Sequence, residues 1–230
     1  SVNDKPAVNS STLASAAELS GETEIKSIEI MQGMVKKTHM NELRTFPQIS
    51  RLTITENAVL ESSVIEAELF KNMTNFIHVK IMQNVTLMAE CFSGCTSLLS
   101  IEFAEAPLLS EGSFRNCSSL NTIKIPHCKE LRGDFIFSGC SNLRDVDLSS
   151  ISKVDQSASK IFEGCSQLTL LRLPSIEPQT FHKDTFENCS EVKLVLPNNA
   201  DYLAYDDESH VVDDVKEDEK WCGIKIDSEF

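Results

Sequence analysis

The chain has 230 residues and a net charge of −14, enough length for one elongated domain and an acidic balance that argues against nucleic acid or anionic lipid as partner. It carries eight Gly, eight Cys and five His, none of which falls in a Walker loop, a Rossmann fingerprint, a nucleophile elbow or an H-E-x-x-H motif. No apolar stretch is long enough to span a bilayer.

Residues 1–22 are small and polar without periodicity, and read as a flexible leader or tether. Two apolar triplets follow, Ile25/Ile28/Ile30 and Ile49/Leu52/Ile54. From Phe70 onward one motif recurs six times: Phe, any residue, Gly or Asn, an apolar residue, then Ser or Thr. Its anchors are Phe70-Lys71-Asn72-Met73-Thr74, Phe92-Ser93-Gly94-Cys95-Thr96 and Phe114-Arg115-Asn116-Cys117-Ser118, then Phe137-Ser138-Gly139-Cys140-Ser141, Phe162-Glu163-Gly164-Cys165-Ser166 and Phe186-Glu187-Asn188-Cys189-Ser190. The Phe-to-Phe steps of 22, 22, 23, 25 and 24 residues mark a solenoid, in which one coil cannot bury its own apolar edge and stacked coils can.

Six residues after each of the first five anchors comes a second pattern, apolar-x-x-apolar-x-apolar: Phe76/Val79/Ile81, Leu98/Ile101/Phe103, Leu120/Ile123/Ile125, Leu143/Val146/Leu148 and Leu168/Leu171/Leu173. Val192/Leu194/Leu196 fits with one deletion. The last two members of each triplet alternate with period two, which predicts a short strand. Counting every triplet gives about eight coils over residues 23–197. Gly and Asn most readily adopt left-handed backbone, so Phe-x-(Gly/Asn) predicts a short helical turn ending in positive φ at all six positions. The Ser or Thr two places later is expected to satisfy free backbone groups.

Stacking would align exposed columns. The residue between the last two triplet members reads Glu29, Thr53, Lys80, Glu102, Lys124, Asp147, Arg172, Val195. Its sign alternates from Lys80 to Arg172, which predicts a charge ladder that fixes register rather than a site for a charged ligand. A second column, Arg51, His78, Ser100, Thr122, Asp145, Leu170 and Lys193, is mixed and is the candidate partner-binding face, joined by Met82 from a smaller, more apolar third column. That third column runs Met31, Thr55, Met82, Ala104, Pro126, Ser149, Pro174.

Five of the Cys (Cys95, Cys117, Cys140, Cys165, Cys189) share one repeat column with Met73. That company predicts a compact apolar site: a buried, reduced ladder rather than disulfides or a metal site. Cys91 is expected to be packed; Cys128 and Cys222 have no assigned place. Sequons occur at Asn9, Asn72, Asn84, Asn116 and Asn188, three of them generated by the repeat itself. His182-Lys183-Asp184 is expected to face solvent. No catalytic residue, metal ligand or cofactor site is predicted. Residues 198–230 hold 11 acidic residues and 3 Lys and read as an acidic loop and a closing unit rather than a calcium site.

These residues resemble the BspA-type (Treponema-type) leucine-rich repeats of bacterial and protist surface proteins, whose unit is roughly A-F-x-G-C-x-x-L-x-x-I-x-L-P. Segment 92–103 is the nearest match, Pro126, Pro174 and Pro197 follow their strands as in that unit, and the resemblance covers about residues 46–226. Leu196-Pro197, Tyr202 or Tyr205, and Trp221-x-x-Ile224-x-Ile226 look like its closing unit; the first two coils lack Phe-x-Gly-Cys. The resemblance implies an α/β repeat solenoid: a right-handed leucine-rich-repeat coil stack of short parallel strands joined by short helical or irregular segments. It also implies a cell-surface or extracellular, non-enzymatic protein that binds another protein in adhesion or host and matrix recognition. Proteins resembling this one are often exported lipoproteins, in which case a lipid anchor would lie upstream of Ser1; the chain itself is read as a monomer or a weak homo-oligomer. The alternative is a structural spacer or a glycan- or envelope-recognition module. Its candidate rings are Trp221, Tyr202 and Tyr205 alone.

Overall fold

A computed structural model describes residues 25–46, 48–155, 157–174, 181–182, 184–189 and 192–195, together with the backbone of strands Ala204–Tyr205, Val211–Val212, Lys220–Trp221 and Ile224–Lys225. The expectations for residues 1–22, Asn9, Ser190, Leu196, Pro197, Tyr202, His210, Cys222 and the acidic run 206–219 lie wholly or mostly outside this set. So do the side chains of Lys193, Val195, Tyr205 and Trp221.

Each apolar triplet builds one strand. Ser27–Ile30, Arg51–Ile54, His78–Asn84, Ser100–Glu105, Thr122–Lys124, Asp145–Asp147, Leu170–Arg172 and Lys193–Val195 form one eight-stranded sheet in chain order. The pairing is parallel and in triplet register, with Leu52 opposite Val79, Val79 opposite Ile101 and Ile101 opposite Ile123. Because side chains alternate across a strand, Leu52, Val79, Ile101, Ile123, Val146 and Leu171 are all buried. Consecutive strands neighbouring one another without crossover are what a stack of coils requires.

A second parallel sheet runs down another side: Val64–Ile65, Thr86–Leu87, Leu108–Ser110, Glu130–Arg132 and Lys153–Val154. The second coil explains why the start of the chain lacks the motif. Arg51 and His78 are register partners 27 positions apart, against 22 for Ser100 and Thr122. The surplus lets this coil extend two side strands, Ala58–Leu60 back to Gly33–Val35 of the first coil and Val64–Ile65 forward to Thr86–Leu87. Among the described residues the α-helix Lys37–Glu42 stands alone, followed by a 3-10 turn at Leu43–Thr45, both in the first coil.

The six Gly/Asn positions all have positive φ: Asn72 61°, Gly94 73°, Asn116 59°, Gly139 75°, Gly164 70° and Asn188 59°. The predicted short helical turn is corrected, however. A second left-handed column lies four residues earlier, at Glu68, Glu90, Gly112, Phe135 and Lys160. Between the two columns the backbone alternates its donors. Glu68, Phe70 and Asn72 give their N–H to Ala89, Cys91 and Ser93 of the next coil, at 3.0, 2.8 and 2.8 Å, while Leu69, Lys71 and Met73 close tight turns onto Glu66, Glu68 and Phe70. A helix would direct every donor back along its own axis; here half of them bind the stack together. The sequence hid this column because its occupants share no chemistry.

Inside, the anchors form a file of rings. Phe70, Phe92, Phe114, Phe137, Phe162 and Phe186 stack at centroid separations of 5.1, 5.7, 5.5, 5.2 and 5.4 Å. Each such pair contributes about 0.5–1.5 kcal/mol beyond the area it buries. The C-terminal strands form a separate antiparallel sheet in the order Val211–Val212, Ala204–Tyr205, Lys220–Trp221, Ile224–Lys225.

Candidate binding face on the parallel sheet

The five column cysteines are free, and four of them are buried, with Cys189 half-buried. Their company with Met73 suggests a purely apolar site, and the geometry corrects that. Each thiol donates to the carbonyl oxygen of the anchor Phe one coil earlier: Cys95 to Phe70 (3.1 Å), Cys117 to Phe92 (3.1 Å), Cys140 to Phe114 (3.1 Å), Cys165 to Phe137 (3.2 Å) and Cys189 to Phe162 (3.0 Å). Met73, which has no S–H, is partly buried against the core. Burial pushes the Cys95 thiol up to about 12 and Cys117, Cys140 and Cys165 well above their ordinary value. A nucleophile or metal ligand needs thiolate, so this column is built for packing. Cys91 and Cys128 are buried too, and burial likewise raises both.

The motif Ser and Thr act between coils. Ser118, Ser141 and Ser166 donate to the carbonyls of Thr96, Ser118 and Ser141, the same motif position one coil earlier, at 3.5, 3.3 and 3.4 Å.

On the outside of the main sheet the first exposed column comes into register: Glu29 with Thr53, Thr53 with Lys80, Lys80 with Glu102, Glu102 with Lys124, and Asp147 with Arg172. Register does not guarantee pairing. Glu102 lies between Lys80 (3.8 Å) and Lys124 (3.5 Å). Arg172 instead crosses diagonally to Asp145 at 2.5 Å, and that carboxylate raises the guanidinium's pKa. Asp147 accepts the Ser149 N–H at 2.9 Å. The alternating ladder is therefore a trio and a diagonal pair rather than a continuous chain.

The second column is also in register from Arg51 through His78, Ser100, Thr122, Asp145 and Leu170 to Lys193. Arg51, Thr122 and Asp145 are exposed, whereas His78, Ser100 and Leu170 are half-buried, as is Met82 of the third column. His78 Nδ1 and Ser100 Oγ lie 2.7 Å apart, and Thr122 Oγ1 donates to Asn121 at 2.9 Å. The sheet thus brings together basic, acidic, hydroxyl and aliphatic groups as one surface.

The turn side carries charge too, and its groups serve one another. Lys71 joins Glu68 at 2.8 Å and Glu90 of the next coil; Lys160 joins Glu163 and Glu187, each at 2.9 Å; and Arg115 lies 4.5 Å over the Phe135 ring. Several of these are the residues of the second left-handed column. Periodicity four residues before Gly/Asn was the available signal, but no shared residue type marks it. His182 is half-buried and bonds Asp184 through Nδ1 rather than facing solvent alone. No group of three metal-ligating side chains occurs among the described residues, nor any helix long and apolar enough to cross a membrane.

The sequence pattern of the BspA type leucine rich repeat region matches in six copies, over residues 18–108 and 63–193. Among solved structures, a leucine rich cell surface protein from Faecalibacterium prausnitzii A2-165 is similar at 18% identity and a TM-score of 0.46, over 76% of this chain and 49% of that one. A leucine-rich repeat protein from Bacteroides ovatus ATCC 8483 is similar at 15% identity and a TM-score of 0.43, over 74% of this chain and 54% of that one. The chain spans about half the length of each. No curated protein matches. Six matched copies on a stack of parallel strands identify the chain as a member of the BspA-type leucine-rich-repeat family.

Proposed function

We propose that this is a non-enzymatic, cell-surface or exported protein that binds another protein through the exposed face of its eight-stranded sheet, in adhesion or recognition. One observation carries the reading: the mixed column from Arg51 to Lys193 lies in register on one sheet face, and beside it runs the column from Lys80 to Arg172, in register except between Lys124 and Asp147. Solenoids use extended surfaces of this kind for recognition. The described thiols, which would be the strongest nucleophiles among these residues, are packed or half-packed in the stack. The family resemblance supports a surface location, by analogy of fold.

The test exchanges the trio's signs together: Lys80→Glu, Glu102→Lys, Lys124→Glu. Both internal pairs survive the exchange, so folding is retained while the charge pattern offered to a partner inverts. On an array of purified extracellular and matrix proteins, the intact chain is expected to retain specific partners that the exchanged variant loses. Equal capture by both forms would remove this face as the binding surface.

A further inference from the structure

The ladder of the main sheet is interrupted at one place. Thr122–Lys124 pairs with Ser100–Glu102 at three positions, and Asp145–Asp147 pairs with Leu170–Arg172 at three, yet these two strands meet each other only at Thr122 and Asp145. The sequence explains the parting. Pro126 has no N–H with which to extend the ladder, and His127 adopts a φ of 59° that turns the chain away. On the other side, Leu148 gives its N–H to Arg172 at 2.9 Å, toward the seventh coil. A cleft of about 390 Å³ opens where the strands separate, at their carboxyl ends, a size typical of ligand-accepting clefts.

Its walls are unlike one another. Ile123 and Ile125 supply apolar surface at 8% and 4% exposure. Lys124, Glu102 and Asp147 also line it. Glu102 is held between two lysines. Asp147 forms no direct ion pair among the described residues, because Arg172 goes to Asp145; the Arg172 guanidinium, its register partner, attracts it only at longer range, and its hydrogen bond is to the Ser149 N–H. An exposed carboxylate beside an apolar wall, on a chain of net charge −14, fits a long basic side chain: methylenes lie along the wall and the charged head reaches the acid.

We propose that this cleft receives an arginine or lysine side chain of the protein partner, with Asp147 as its anion and Ile123 and Ile125 packing its stem. The proposal rests on the reading that the sheet face meets a protein. Arginine is the better fit, since its planar fork engages a carboxylate through two donors and is weakly hydrated.

The probe is N-acetyl-arginine methylamide, titrated into the isotope-labelled full chain and followed by amide NMR shifts. Saturable shifts confined to residues 123–128 and 146–150 are expected, with binding at least tenfold weaker in Asp147→Asn. That variant keeps an acceptor for Ser149, so it isolates the charge. Asp155→Asn, at a half-buried carboxylate after the side strand Lys153–Val154, should bind the probe as the parent does. Shifts spread evenly over the acidic surface, equal binding by Asp147→Asn, or equal binding of N-acetyl-glutamate methylamide would each overturn the proposal. Its failure is separable from that of the binding face. Lost capture by the sign-exchanged variant without probe binding removes the cleft alone, whereas probe binding with unchanged capture removes the face reading and leaves the cleft.

Discussion

Two constraints meet at Gly94. Its φ of 73° disfavours a side chain, and a Cβ there would strike the Asn72 Oδ1 of the coil below, closer than real Cβ contacts come. Gly139 stands in the same relation to Asn116. Gly94→Ala should therefore lose about 1–3 kcal/mol of stability in urea unfolding. In an Asn72→Gly background the loss should shrink, because the collision is gone and only the backbone cost remains. A coupling of about 0.5–3 kcal/mol is the range for residues in direct contact; additive losses would show that the two never meet. The sequence made the Gly/Asn column legible through its conformational preference. It did not reveal the interlock, since that depends on which coil lies above which.

For a strand, the question is whether register becomes attraction. Period-two alternation and coil spacing were enough to place Lys80, Glu102 and Lys124 side by side. Arg172 escaped the scheme because a long, forked side chain reaches the diagonal Asp145 as readily as the facing Asp147. Glu102→Lys should lower stability by about 0.2–1 kcal/mol per lost pair, since three ammonium groups then line up. Glu102→Gln should cost less and the full sign exchange least. If Glu102→Lys and Glu102→Gln unfold alike in low salt, the trio contributes nothing to register. The connecting segments were the least legible elements. Phe-x-Gly looks like the end of a helix, but the N–H groups of Glu68, Phe70 and Asn72 leave their own coil for the next one, a long-range demand that no local pattern encodes.

Across the molecule, the thiols tie every anchored coil from the fourth onward to its predecessor, which makes the stack sensitive to alkali. Burial raises Cys189 to about 11 and Cys95 and Cys128 to about 12 from a usual value of 9.0, with Cys117, Cys140 and Cys165 also well above it. The unfolded chain then releases these protons at lower pH than the folded one, so it is favoured as pH rises. Their stabilising contribution is complete below about pH 9 and is lost as pH climbs toward 11 and 12. The melting temperature should fall steeply across that window, and more gently in a Cys117→Ala, Cys140→Ala variant; identical slopes would show that the thiols do not govern it. The interlock seen at Gly94 and Gly139 also bears on how such proteins lengthen. Copying a Gly-bearing unit places glycine on glycine, as Gly164 already lies on Gly139, and the array grows without strain. Copying an Asn-bearing unit alone sets one amide against the next unit's Cβ, so genetic duplication is free to expand the first kind singly and the second only together with a glycine neighbour.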